Sequence, residues 1–240
     1  MKTTLMTISI SLAFILGGYL LADSIKYHKN FNRIVRVKGL AEKKVKSNLA
    51  IWQLTIENKS NDRMSQYKKL RAQKKLLETF LLENDIPAKD MEFGNITITE
   101  QYSAAQYAQK LQTVDASEIM KLSGEVKVTI TSTEVDKIKA TTSKLDQLIG
   151  KGVQIPQSNT YFLFDQLNDI KADMLREATI NAREAAQSFA ENSQANVGGI
   201  QSATQGYFDI KDTGTINDWS KNQSLYKLVR VVTNVSFFLE

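Results

Sequence analysis

DQLNDIKADMLREATINAREAAQSFAENSQANVGG, residues Asp165 to Gly199, is the longest stretch of the chain with an unbroken helical period and no Pro or Gly before its closing pair. Leu167, Ile170, Met174, Ala178, Ala182, Ala185 and Phe189 recur at spacings of three and four, which puts them on one apolar stripe; Lys171, Glu177, Arg183, Glu184 and Glu191 fall mostly outside it. A helix with a single apolar stripe lies on something flat. Asp165 is placed to cap its first turn, and Gly198 or Gly199 to end it in the left-handed conformation. The stripe turns small at Ala178, Ala182, Ala185 and Ala186, so a neighbouring backbone can approach closely, either from the domain's own sheet or from another subunit.

The flat partner is legible on both sides of that helix. After it, Ile200 to Ile210 reads as a strand of mixed quality, and Lys211 to Ser224 as a hairpin loop carrying Trp219, a contact residue or a plug beneath its own loop. Leu225 to Glu240 is a long strand with Val229, Val231, Thr233, Val235, Phe237 and Leu239 on one face. Before it, Thr160 to Phe164 fits a central strand, and Glu125 to Thr131 alternates cleanly with Val126, Val128 and Ile130 inward. Between those two strands Thr133 is placed to cap a helix whose stripe is Val135, Ile138, Leu145, Leu148 and Ile149, ended by Gly150 and Gly152. Further back, Asp62 caps a helix to about Asn84, with Tyr67, Leu70, Leu77, Phe80 and Leu81 inside and Lys68, Lys69, Arg71, Lys74 and Lys75 on a solvated face. Phe93 to Tyr102 restarts a strand, and Ser103 to Ser117 has no period and reads as an excursion.

The first strands are Arg33 to Lys38, stopping at Gly39, and Leu49 to Glu57, which together predict a hairpin around a basic loop from Glu42 to Asn48. A strand, helix, strand order occurs twice, over 49 to 102 and 125 to 164, without a residue-level repeat.

Composition narrows the function classes. Of the net charge of +5, all sits in residues 1 to 40, where six basic side chains face Asp23 alone; the remaining 200 residues are balanced. A nucleic-acid footprint over the folded part is therefore not expected. Thr4 to Ala22 is uncharged and largely apolar, and as a helix would be about 28 Å long, near the thickness of a bilayer. It reads as a transmembrane signal-anchor (residues 1–22) rather than a cleaved signal peptide, since no A-x-A cleavage form follows it. Residues 23–32 then form a juxtamembrane linker and 33–240 the folded domain. Lys26, Lys29 and Arg33 suit anionic lipid headgroups, although by the positive-inside rule alone they would hold the domain in the cytoplasm.

Reactive constellations are thin. There is no Cys, and the single His, His28, lies beside the apolar segment, so thiol catalysis, disulfides and zinc sites are excluded. Neither GxSxG, HExxH, Walker A nor the dinucleotide glycine pattern occurs. Asp165, Asp169, Asp173 and Glu177, four residues apart, line one side of the long helix and are the weak candidates for a hard cation, but like charges at that spacing repel, and no metal or cofactor is expected.

Four segments carry a resemblance to a known family: IVRVKGLAEKKVKSNLAIWQLTIE, SGEVKVTITSTEVDKIKA, LNDIKADMLREATINAREAAQSFAENSQANVGGIQSATQG and VRVVTNVSFFLE. In their order and spacing, above all the Ala-rich helix followed by Gly198, Gly199 and Ile200, the chain resembles the SIMPL domain family of bacterial envelope proteins over about residues 33 to 240. It departs in the first loop, where other members often show a Pro-Asp pair and this chain has Ser47 and Asn48. The resemblance implies an α+β fold with helices packed on a mostly antiparallel sheet, export across the inner membrane, against the flanking charges, and assembly into rings or other homo-oligomers; some members are linked to oxidative-stress defence or known as periplasmic antigens. It supplies no catalytic residues. The expected function is that of a non-catalytic, inner-membrane-anchored periplasmic domain that self-assembles and binds envelope partners; the alternative is a periplasmic hydrolase or small-ligand-binding protein with a carboxylate site.

Overall fold

Alternation of apolar side chains sets most of the strands and helical periodicity the rest, in the order β1 (Ile34–Lys46), β2 (Leu49–Ser60), α1 (Arg63–Glu83), β3 (Met91–Phe93), β4 (Thr97–Gln101), β5 (Lys121–Ser132), α2 (Val135–Thr142), α3 (Asp146–Gly150), β6 (Gln157–Leu163), α4 (Leu167–Asn192), β7 (Val197–Asp212) and β8 (Tyr226–Leu239). This computed structural model describes residues 33–101, 121–214 and 222–240, with Ile15, Gly17 and Gly18. Thr4 to Ala22, Lys26, Lys29, the excursion from Ser103 and Trp219 thus fall wholly or almost wholly outside the described residues. Among the described residues no helix is long and apolar enough to cross a membrane. The fold is α+β, with two antiparallel sheets where the resemblance implies one. The chain divides into two compact units, residues 1–43, 167–210 and 228–240 in the first and 44–166 and 211–227 in the second.

The second unit is built on the central pair β2–β5, antiparallel from Ala50↔Ser132 to Ser60↔Leu122. Outside it lie β6, paired to β2, and β3 and β4, both paired to β5. The sheet order β3-β5-β2-β6 with helices in the two crossovers is a βαββαβ, or split βαβ, arrangement. The twice-occurring strand, helix, strand order is its two halves, each placing its last strand beside the first strand of the other. One face of the sheet is fully apolar: Ala50, Trp52, Leu54 and Ile56 from β2 and Val126, Val128 and Ile130 from β5 pack against Leu70, Leu77, Phe80 and Leu81 of α1 and Ile138 and Leu148 of α2 and α3. Trp52 satisfies its indole N–H on Ser158 Oγ at 3.0 Å, which makes its complete burial tolerable.

Several expectations are corrected here. Phe93 to Tyr102 is two strands, because β3 ends at Phe93↔Val128 and β4 begins at Thr97↔Glu125, so residues 94–96 carry one residue more than β5 opposite them. The Thr160 to Phe164 strand is an edge, not a centre. Thr133 does not cap α2; Glu134 holds that position, its N–H reaching Ser132 Oγ. Tyr67 and Ile149, placed inside by their spacing, are exposed, and the buried positions of α1 include Gln66 and Gln73 instead. Asp62 caps α1 as expected, accepting from the Ser65 N–H at 2.7 Å.

In the first unit the sheet order is β1-β8-β7 and α4 lies across it. Val235 and Phe237 of β8, Val37 of β1 and Ala182 and Ala186 of α4 form its small core. β1 and β2 do not form the expected hairpin. The chain changes sheets at Ser47 and Asn48: the Ser47 N–H donates to Leu225 O and that of Asn48 to Leu163 O, leading β1 beside β8 and β2 beside β6. Nor does Gly39 stop the first strand. β1 runs seven residues past it, and a Cβ at Gly39 would fall 1.7 Å from the Ala178 carbonyl oxygen. The glycine is where the helix backbone comes down onto the strand.

Candidate functional site

The long helix buries Met174, Ala178, Ala182, Ala186 and Ala190, a run at every fourth position. Fours in a 3.6-residue helix wind slowly around it, so Phe189 and Ile180 are left exposed and Leu167, Ile170 and Ala185 only half-buried. The expected stripe was right in its first half and drifted by one residue in its second. Ala178, Ala182 and Ala186 are fully buried inside their own unit, which gives the small residues a packing role; Ala185 beside them is half-buried. Asn181 adds a polar contact, donating from Nδ2 to Leu40 O at 2.7 Å.

The members of the acidic ladder do not converge on one point. Asp165 lies before the helix, its carboxylate accepting from Asn48 Nδ2 while its N–H reaches Asn48 Oδ1 at 3.0 Å, so it does not cap α4. Asp173 pairs with Arg176 at 2.8 Å, and Asp169 is exposed. Among the described residues no three His, Cys, Asp or Glu side chains converge as metal ligands. Gly198 and Gly199 belong to β7, and α4 ends instead at Gln194 (φ 52°), with the Ala195 N–H on Ala190 O.

Two features go beyond what sequence reasoning supplied: the edge position of the strand expected over Ile200 to Ile210, and a buried ion pair. The first is β7, sixteen residues at the edge of its sheet, paired among the described residues on one side, with residues 199–205 exposed without interruption. Ile200, Tyr207 and Ile210 stand on it with 46%, 98% and 36% of their surface in solvent. An apolar-bearing edge of that length is a template for another strand. Its weak alternation in sequence is the signal, since a strand with exposed faces needs no apolar one. The second is the ion pair of Lys227 and Asp212, 1% and 4% exposed, in the other unit. Lys227 occupies an inward position of β8, and Asp212 also accepts from the Ser224 N–H at 3.0 Å, so both charges are compensated where the β7–β8 connection closes.

Two concave regions occur in the second unit. One, about 220 Å³, lies on the sheet face away from the helices, between Gln53, Thr55, Lys127, Thr129 and Gln157. The other, about 560 Å³, is bordered by Asp85, Asp90 and Glu134 with Lys89 and Lys137. Among the described residues, Lys46 is the group whose titration clearly departs from its ordinary value, held above the usual lysine range by its hydrogen bond to Asp136. Both side chains are exposed, so this pair is a surface contact.

A family model described as SIMPL, protein of unknown function (DUF541), matches residues 35–223, from the start of β1 to just short of β8. No curated protein matches the chain.

Proposed function

The chain belongs to the SIMPL family, whose function is unknown, and on that premise we propose that it is a non-catalytic domain, anchored in the inner membrane and facing the periplasm, that self-assembles and acts by binding envelope partners in maintenance or stress response. The observation that carries this reading is β7: a long edge strand with exposed Ile200, Tyr207 and Ile210 gives main-chain pairing for affinity and side chains for register. Thr4 to Ala22 supports the anchor by its length and apolarity.

Sedimentation of the detergent-solubilised full chain tests assembly. A species several times the 27.0 kDa monomer mass is expected, reduced to the monomer by Ile200→Lys with Tyr207→Lys. A chain that stays monomeric at high concentration overturns the self-assembly. For topology, a reporter fused after Glu240 that is active only in the cytoplasm overturns the periplasmic placement.

One observation favours the second reading, a hydrolase or small-ligand site. The depression bordered by Asp85, Asp90 and Glu134 brings carboxylates and lysines to one rim. A screen against phosphate and ester substrates, with Asp90→Asn and Glu134→Gln as controls, decides it; activity lost in both variants would replace the binding reading with this one.

A further inference from the structure

We propose that the face of the β1-β8-β7 sheet turned away from α4 docks on an anionic lipid surface through Arg36 and Lys38; the proposal rests on the membrane anchor of the reading above. In β1 the odd positions Val37, Gly39 and Ala41 are buried, with Gly39 under the backbone of α4. Alternation then sends Arg36, Lys38, Leu40 and Glu42 to the opposite face, where all four are exposed. Glu42 is engaged by Arg230 at 3.6 Å, whereas neither Arg36 nor Lys38 forms an ion pair with a described residue. With Arg230 of β8, the exposed charges on that face of β1 and β8 within the unit are three basic side chains against Glu42 alone; Arg33 and Lys43, exposed on the same segment, alternate to the α4 side.

The other side of the unit has the opposite sign. Residues 167–192 carry Asp169, Asp173, Glu177, Glu184 and Glu191 against Lys171, Arg176 and Arg183. A negatively charged surface therefore attracts the strand side and repels the helix side, which selects one orientation from many. Chain length brings the two partners together. The ten residues from Asp23 to Asn32 span at most about 36 Å, so Arg33 cannot leave the neighbourhood of the bilayer once the preceding segment is inserted. At the resulting effective concentration, attraction from a few basic side chains suffices. Leu40, 39% exposed next to Lys38 on the same face, adds an apolar contact at headgroup level.

Because the chain has no Cys, single-cysteine labelling is clean. The full chain, as Leu40→Cys or as Asp173→Cys and labelled with a polarity-sensitive dye, is reconstituted in nanodiscs of phosphatidylcholine alone or with about one-third phosphatidylglycerol. The Leu40 position is expected to move to an apolar, lipid-quenchable environment only in the anionic discs. It should be released at about 1 M salt, where the screening length falls to about 3 Å. The Asp173 position should not respond. Arg36→Gln with Lys38→Gln in the Leu40→Cys background is expected to lower the docked-to-free ratio by about tenfold or more. A chain that enters both discs with a Leu40 label indifferent to lipid charge overturns the docking alone, as does an Asp173 label that responds equally. A chain that enters neither disc overturns the anchor and the docking with it.

Discussion

Three residues outside ordinary right-handed backbone space end three helices in the same way. Asp85 (φ 58°), Gly152 (φ 85°) and Gln194 (φ 52°) each follow a helix cap. The next residue's N–H returns to the carbonyl five positions back: Ile86 to Leu81, Val153 to Leu148 and Ala195 to Ala190. Only the glycine could be read as a stop, because Asp and Gln do not announce a left-handed conformation by their type. Gln194→Gly should therefore raise stability by about 1 kcal/mol, read as a higher urea midpoint with an unchanged slope. Asp62→Ala should lower it by a similar amount by freeing the Ser65 N–H at the start of α1. Lys46, by contrast, is a residue with a perturbed titration and little consequence. Its raised value means the ammonium stays charged until well into alkaline solution, so replacing it should leave the pH dependence of stability between pH 6 and 9 unchanged.

At the scale of elements, two contacts decide how strands and helices are placed. α4 lies on β1 where Gly39 removes a side chain and where Ala178 and Ala182 present almost none. Gly39→Ala puts a methyl group against the Ala178 carbonyl, and the helix must lift; a loss of about 3 kcal/mol is expected, together with faster amide exchange in α4. The Lys227–Asp212 pair fixes how the start of β8 meets the end of β7. Lys227→Met alone takes the buried ammonium away from the Asp212 carboxylate and should lower stability, whereas Lys227→Met with Asp212→Leu should recover part of the loss. A double-mutant cycle by urea unfolding reads both. The alternation of β8 was legible from Val229 to Phe237, and Lys227 falls in the same phase. Its charge argued against an inward position, and its partner fifteen residues away was not identifiable before β7 and β8 were paired.

Across the whole molecule, hydrogen exchange is expected to be slowest in β2 and β5, which have neighbours on both sides, and fast in β7 and β4 at sheet edges. If β7 is the self-assembly edge, raising protein concentration should slow exchange in β7 while leaving β4 unchanged; equal behaviour of the two would count against β7. The sequence by itself determined the class of the fold, the family, the positions of the main helices, the inward sets of β5 and β8 and the charge asymmetry of the first forty residues. These follow from local periodicity and composition, which each segment carries within itself. Only the tertiary structure decided that β1 and β2 belong to different sheets, that Gly39 seats a helix and that the alanines pack inward. It also decided that the acidic ladder is solvated and that β7 lies at the edge of its sheet. Each of those depends on which distant segment supplies the hydrogen bond, the backbone or the counter-charge, and pairing of that kind leaves no period in the chain.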